Sequence, residues 1–109
     1  MTWRALLAAL AFARVIAGEA PACDDPAVFV ALAQVNANRQ ERGIVGGWFG
    51  DRDPDPVHVW AALNYSNLPD EARGAVFAMG THDHPAFLEG REPVRVFLCE
   101  DGQSVRLFR

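Results

Sequence analysis

The stretch D-D-P-A-V-F-V-A-L-A-Q-V-N-A-N-R-Q-E-R-G, residues 24–43, decides the fold. Asp25 suits an N-cap and Pro26 the first helical position. Val28, Leu32 and Val35 recur at helical spacing, with Gln34, Asn38 and Glu41 on other faces. Arg39 and Arg42 stand where the negative end of the dipole favours cations, and Gly43 provides a stop. The rival reading is a hairpin with strands near 27–35 and 43–49, which the β-branched residues favour. A helix here makes the chain α+β; a hairpin makes it a small all-β sandwich. The spacing predicts the helix.

Outward from this stretch the pattern changes. G-I-V-G-G-W-F-G, residues 43–50, reads as a short strand. The prolines of D-R-D-P-D-P end it, because each removes a ladder donor. V-H-V-W-A-A-L-N-Y-S, residues 57–66, alternates. Val57, Val59, Ala61, Leu63 and Tyr65 take one face of a strand, and His58, Trp60, Ala62 and Asn64 the other. Residues 66–80 read as a second helix, with Pro69 in the first turn, Asp70 and Glu71 at its positive end and Gly80 as terminator. Gly74 inside it costs about 1 kcal/mol relative to alanine. H-P-A-F-L-E-G adds one helical turn.

The C-terminal stretch V-R-V-F-L-C-E-D-G-Q-S-V-R-L-F-R, residues 94–109, is a hairpin around Asp101-Gly102. That dipeptide suits a type I′ turn, whose two central residues need positive φ. A two-residue loop sets Glu100 against Gln103 and Cys99 against Ser104. Val94, Val96, Leu98, Val105 and Leu107 then share an apolar face. Arg95, Phe97, Cys99, Arg106 and Phe108 share the mixed one, where guanidinium groups lie over rings. The order α-β-β-α-β-β predicts a small antiparallel four-stranded sheet with two helices packed on one face. The hairpin stretch resembles the opening strand pair of the C-type lysozyme inhibitor family of bacterial envelopes. That resemblance implies the strand pair and its cysteine, and no inhibitory residue is carried over from it.

The N-terminus differs in kind. M-T-W-R supplies a positive charge, residues 5–13 are an unbroken apolar run, and Ala20 and Ala22 satisfy the small-residue rule for cleavage after Ala22. Residues 1–22 read as a secretory signal peptide and residues 23–109 as a single small globular domain. An amphipathic first helix of a cytosolic chain and an uncleaved anchor are the alternatives. Arg14 argues against a spanning helix, which needs roughly 20 apolar residues. A domain this small gains from a staple. The two cysteines, Cys23 and Cys99, supply a disulfide in an oxidising compartment; lipidation of Cys23 is the competing use.

Charge removes other classes. The formal net charge is −4, and all ten basic residues are arginine. A phosphate backbone or an anionic bilayer calls for clustered positive charge, which the sequence lacks. Neither nucleic acid binding nor membrane insertion after signal removal is expected.

Three constellations remain. His82 and His84 flank Asp83, and with His58 they would offer zinc or copper three nitrogens, Asp83 orienting them. The plainer reading makes Asp83 a cap for the following helical turn. Asp51, Asp53 and Asp55 alternate as calcium-loop carboxylates do, yet Pro56 and Ala62 stand where an EF-hand needs glycine and glutamate. Trp48, Phe49 and Trp60 flank that acidic loop and offer a stacking platform if exposed. A nucleophile elbow is missing, Ser66 and Ser104 sit in turns, and only His82, Asp83 and His84 suggest acid/base work.

The expectation is an exported domain, periplasmic or secreted, that binds rather than catalyses. Its partner would be an envelope or extracellular protein or glycan, met around Trp48, Trp60, His58, Asp51, Asp53 and Asp55. A metal binder using His58, His82 and His84, and a small hydrolase, stand as alternatives.

Overall fold

A computed structural model describes residues 1–48 and 50–109. Among the described residues, three α-helices, α1 (Trp3–Glu19), α2 (Pro26–Glu41) and α3 (Pro56–Asn64), precede three short strands. The strands are β1 (Phe77–Gly80), β2 (Arg95–Leu98) and β3 (Ser104–Phe108). They form one antiparallel sheet in the order β1-β3-β2. The fold is α+β, but neither the four-stranded sheet with two helices nor the all-β sandwich.

α2 is the helix that residues 24–43 predict, and it is the centre of the core. Asp25 caps it by accepting from the Ala27 N–H at 3.0 Å, and Pro26 opens it. Residues Val28 to Ala33 are all buried, together with Val35. A helix apolar on every side is a helix enclosed by neighbours, which is why its valines do not tip it toward a strand. Gly43 at φ +70° ends it. The Ile44 N–H reaches the Arg39 carbonyl at 2.9 Å and the Gly43 N–H that of Gln40 at 3.1 Å, a Schellman closure.

Residues 57–64 belong to α3 rather than to a strand. Asp55-Pro56 repeats the Asp25-Pro26 start signal, and buried His58, Ala61 and Ala62 lie at helical spacing. The alternation of Val57, His58, Val59 and Trp60 covers too few residues to set the period. Residues 43–48 are not a strand either: Gly46 and Gly47 both sit at φ +84°, and Phe49 lies outside the described residues.

After a 3-10 turn over Tyr65–Asn67, residues 68–76 are a tied loop, not an α-helix. The Asp70 carboxylate accepts from the N–H groups of Ala72 (3.1 Å) and Arg73 (3.0 Å). Arg73 (φ 53°) and Gly74 (φ 76°) then turn the chain left-handed into β1. α2 holds the loop with its polar side chains. The Gln34 carbonyl oxygen accepts from the Glu71 and Ala72 N–H groups, at 2.7 and 3.1 Å. Its amide donates to the carbonyls of Tyr65 (3.2 Å) and Pro69 (3.0 Å). Asn38 donates to the Ala75 carbonyl and buried Arg39 to that of Val76.

The C-terminal hairpin forms with a shifted register. Asp101 and Gly102 both have positive φ, and the Gln103 N–H meets the Glu100 carbonyl at 3.0 Å, as the D-G turn predicts. Cys99, however, donates to the Gln103 carbonyl at 2.8 Å, and Leu98 pairs with Ser104. One extra residue on the β2 side reverses which of its side chains meet the core. Phe97 is buried with Val105 and Leu107, and Arg95 is on their face. Val96 and Leu98 point the other way. On that outer face the 83–91 segment covers Phe108 and Arg106, with Phe87 edge-on to Phe77 at 5.1 Å.

α1 packs across α3 and buries Ala13, Ile16 and Ala17 completely. Gly18 and Gly50 meet backbone to backbone; a Cβ on Gly18 would lie 2.3 Å from the Asp51 nitrogen. Arg14 pairs with Asp51 (2.9 Å) and Asp53 (2.7 Å), and Glu19 accepts from the Gly50 N–H at 2.8 Å. No described helix is long and apolar enough to cross a membrane. Cys23 and Cys99 are joined in a disulfide across a sequence separation of 76.

Candidate functional site

Trp60 stands on α3 with its side chain 41% exposed. It walls a groove of about 170 Å³ with Ala27 and Val30 of α2 and with Leu68, Pro69 and Glu71 of the loop that follows. Each wall is fixed for a physical reason. Ala27 and Val30 belong to the most enclosed helix of the molecule. Pro69 and Glu71 are held at their backbone by Gln34, and the Leu68 N–H donates to the Tyr65 carbonyl. Glu71 is ion-paired with Arg95, so its carboxylate does not project into the groove as a free charge. An aromatic face beside small and branched apolar walls suits an apolar side chain.

The other residues expected at this surface lie elsewhere. His58 is buried on the same helix. Its Nδ1 accepts from the Asp55 N–H at 2.9 Å, closing the first turn of α3 as a glutamate would in a capping box. Its ring meets Phe29 edge-on at 4.3 Å. Burial lowers its pKa below 6.5, with the Arg52 charge acting in the same sense and Asp55 opposing. Asp51 and Asp53 are the anchors of Arg14. Trp48 is half-buried in a separate cleft of about 230 Å³ with Arg39, Gln40 and Ile44. Trp48 and Trp60 line different pockets, and Phe49 lies outside the described residues.

The H-D-H turn is exposed, and its aspartate acts backwards along the chain. Asp83 accepts from the Gly80 N–H at 3.0 Å and donates its own N–H to the Gly80 carbonyl at 3.2 Å. It closes the turn after β1 rather than capping the turn Ala86–Leu88, which has no side-chain cap. His82 and His84 both line one recess at this turn, and His84 also lines a second. His58 instead lines a crevice with Phe29, Arg52 and Asp55. Among the described residues no three side chains of metal-binding type converge. The recess of about 440 Å³ beside His84 is larger than the Trp60 groove. Its Arg106 is spent on the carbonyls of Gly80 and Asp83, and Arg91 reaches that of Arg109.

Sequence reasoning missed Gln34, Glu71, Leu68 and Pro69. Gln34 was visible only as a polar position on an apolar helix, a common signal of a side chain that bonds to a neighbouring backbone. Comparison with known proteins finds no family model that matches the chain, and no curated protein or solved structure similar to it.

Proposed function

We propose that this protein is a small exported binding module that captures an apolar side chain of a protein partner in the groove beside Trp60. The observation that carries the reading is a half-exposed tryptophan over a groove whose far wall is pinned by hydrogen bonds. Interfaces draw much of their energy from such rigid aromatic sites. The apolar lining favours a protein over a glycan, which needs polar groups around the stacking ring. Export is supported by the disulfide, which oxidising compartments maintain. The N-terminal segment that would direct export is also α1, and N-terminal sequencing of exported material distinguishes a retained helix from processing before Cys23.

The test is Trp60→Ala. Partner retention from the envelope fraction should fall at least about tenfold, or 1.4 kcal/mol, while the melting temperature stays within a few degrees. Retention equal to wild type, or loss of the folded state, removes Trp60 from the role.

A further inference from the structure

β2 is an edge strand whose open side is bare only in the middle. Among the described residues, the order β1-β3-β2 leaves one flank of β2 without a neighbouring strand. The Cys99 N–H points to β3, so in the same register Phe97 and Arg95 also turn their peptide groups inward. Val96 and Leu98 turn theirs to the open side. Both ends of that side are closed. Arg73 donates to the Val94 carbonyl at 3.3 Å, and the Glu100 N–H donates to the Ala22 carbonyl at 3.0 Å. Between them stand Val96 and Leu98, 46% and 85% exposed. Sheet edges are commonly protected by charge or proline; here the unprotected pair is apolar.

The charges around this edge are polarised. At the Val94 end, exposed Arg73, Arg91 and Arg109 are linked through backbone carbonyls. Glu71, committed to Arg95, and exposed Glu92 are the carboxylates at that end. At the Cys99 end stand Asp24, Glu100 and Asp101. Asp24 hydrogen-bonds and repels Glu100, and Asp101 adds repulsion, raising the Glu100 pKa. A partner that brings apolar side chains to the middle, arginines to the acidic end and carboxylates to the basic end satisfies all of it. A second copy of β2 running antiparallel does so.

We propose that β2 pairs antiparallel with β2 of a second copy of this chain about a two-fold axis at Phe97, joining the two sheets into one. Val96 then lies opposite Leu98 of the second copy, and the Glu100 side chain comes toward the arginines at the Val94 end there. The pairing is isologous and closed, so it stops at the dimer. Four residues of strand make a small interface, and the dissociation constant is expected on the order of 100 μM. The contact leaves Trp60 out, so it stands apart from the partner reading.

Sedimentation equilibrium of the oxidised full chain, from about 10 μM to about 1 mM, tests this. Wild type should pass from monomer to dimer, and salt should weaken the association. Leu98→Lys and Glu100→Lys alter exposed side chains; with circular dichroism unchanged, both should remain monomeric. Trp60→Ala should dimerise as wild type does. A wild type that is monomeric throughout, assembly beyond the dimer, or a folded Leu98→Lys that still dimerises overturns the proposal.

Discussion

Three side chains carry the site, and each depends on its neighbours. Trp60 presents a face because α3 turns His58, Ala61 and Ala62 inward. Gln34 fixes the opposite wall through backbone groups rather than side chains. His58 fixes the start of α3, and it does so as a neutral ring that accepts a hydrogen bond. That dependence gives a pH prediction. A histidine whose folded pKa is depressed binds its proton more readily when unfolded, so stability rises with pH where the two states differ. The contribution is complete above about 6.5 and is lost as pH falls through the lower folded value. Denaturant titrations at pH 5 and pH 7.5 should show a steeper loss for wild type than for His58→Gln, whose amide keeps an acceptor at that position without the charge. Parallel losses would remove His58 as the cause.

At the element scale, the sequence was legible where the start signal, the spacing and the stop agreed, and misleading where they did not. Asp25-Pro26, the apolar run and Gly43 all agree on α2, and α2 forms between those marks. Asp55-Pro56 carries the same start signal for α3, but the alternation after it points to a strand, and packing against α1 and α2 decides for the helix. The D-G turn is where the sequence places it; a one-residue bulge is not written in any residue type, and it reverses the faces of β2. The 66–80 segment reads as helical until the demands of Gly74 and the side-chain bonds from α2 are known, and those bonds join residues far apart in sequence. Trp60 was legible only as one of the aromatics around the acidic loop, a stacking surface if exposed, and it is partly exposed. The residues that build its groove were not, because they meet only in three dimensions.

α1 yields the sharpest prediction at this scale. Gly18 admits no side chain against the 50–51 backbone, and clashes with backbone relax poorly. Gly18→Ala in the full chain should cost about 1–3 kcal/mol, read as a lower urea midpoint with a similar slope. A midpoint equal to wild type would mean that α1 does not rest on this backbone.

For the molecule as a whole, the disulfide ties the entry to α2 to the end of β2, across most of the length of the chain. Closing so long a loop restricts the unfolded state by an amount on the order of 4 kcal/mol in the chain-entropy model, a large share of the stability of a small domain. Reduction should therefore lower the melting temperature by tens of degrees, since about 1 kcal/mol moves it by roughly 4–8 °C at this size. A reduced protein that melts like the oxidised one would show that the bridge does not stabilise the domain.

The central claim is that a pre-formed groove at Trp60 binds an apolar anchor. Peptides selected from a displayed random library against the oxidised protein, then titrated against wild type and Trp60→Ala, test it most directly. The account predicts enriched peptides sharing one apolar anchor, with affinity reduced at least about tenfold by the substitution in a protein that still melts close to wild type. Equal affinity for both proteins, or selection that yields no common anchor, would contradict it.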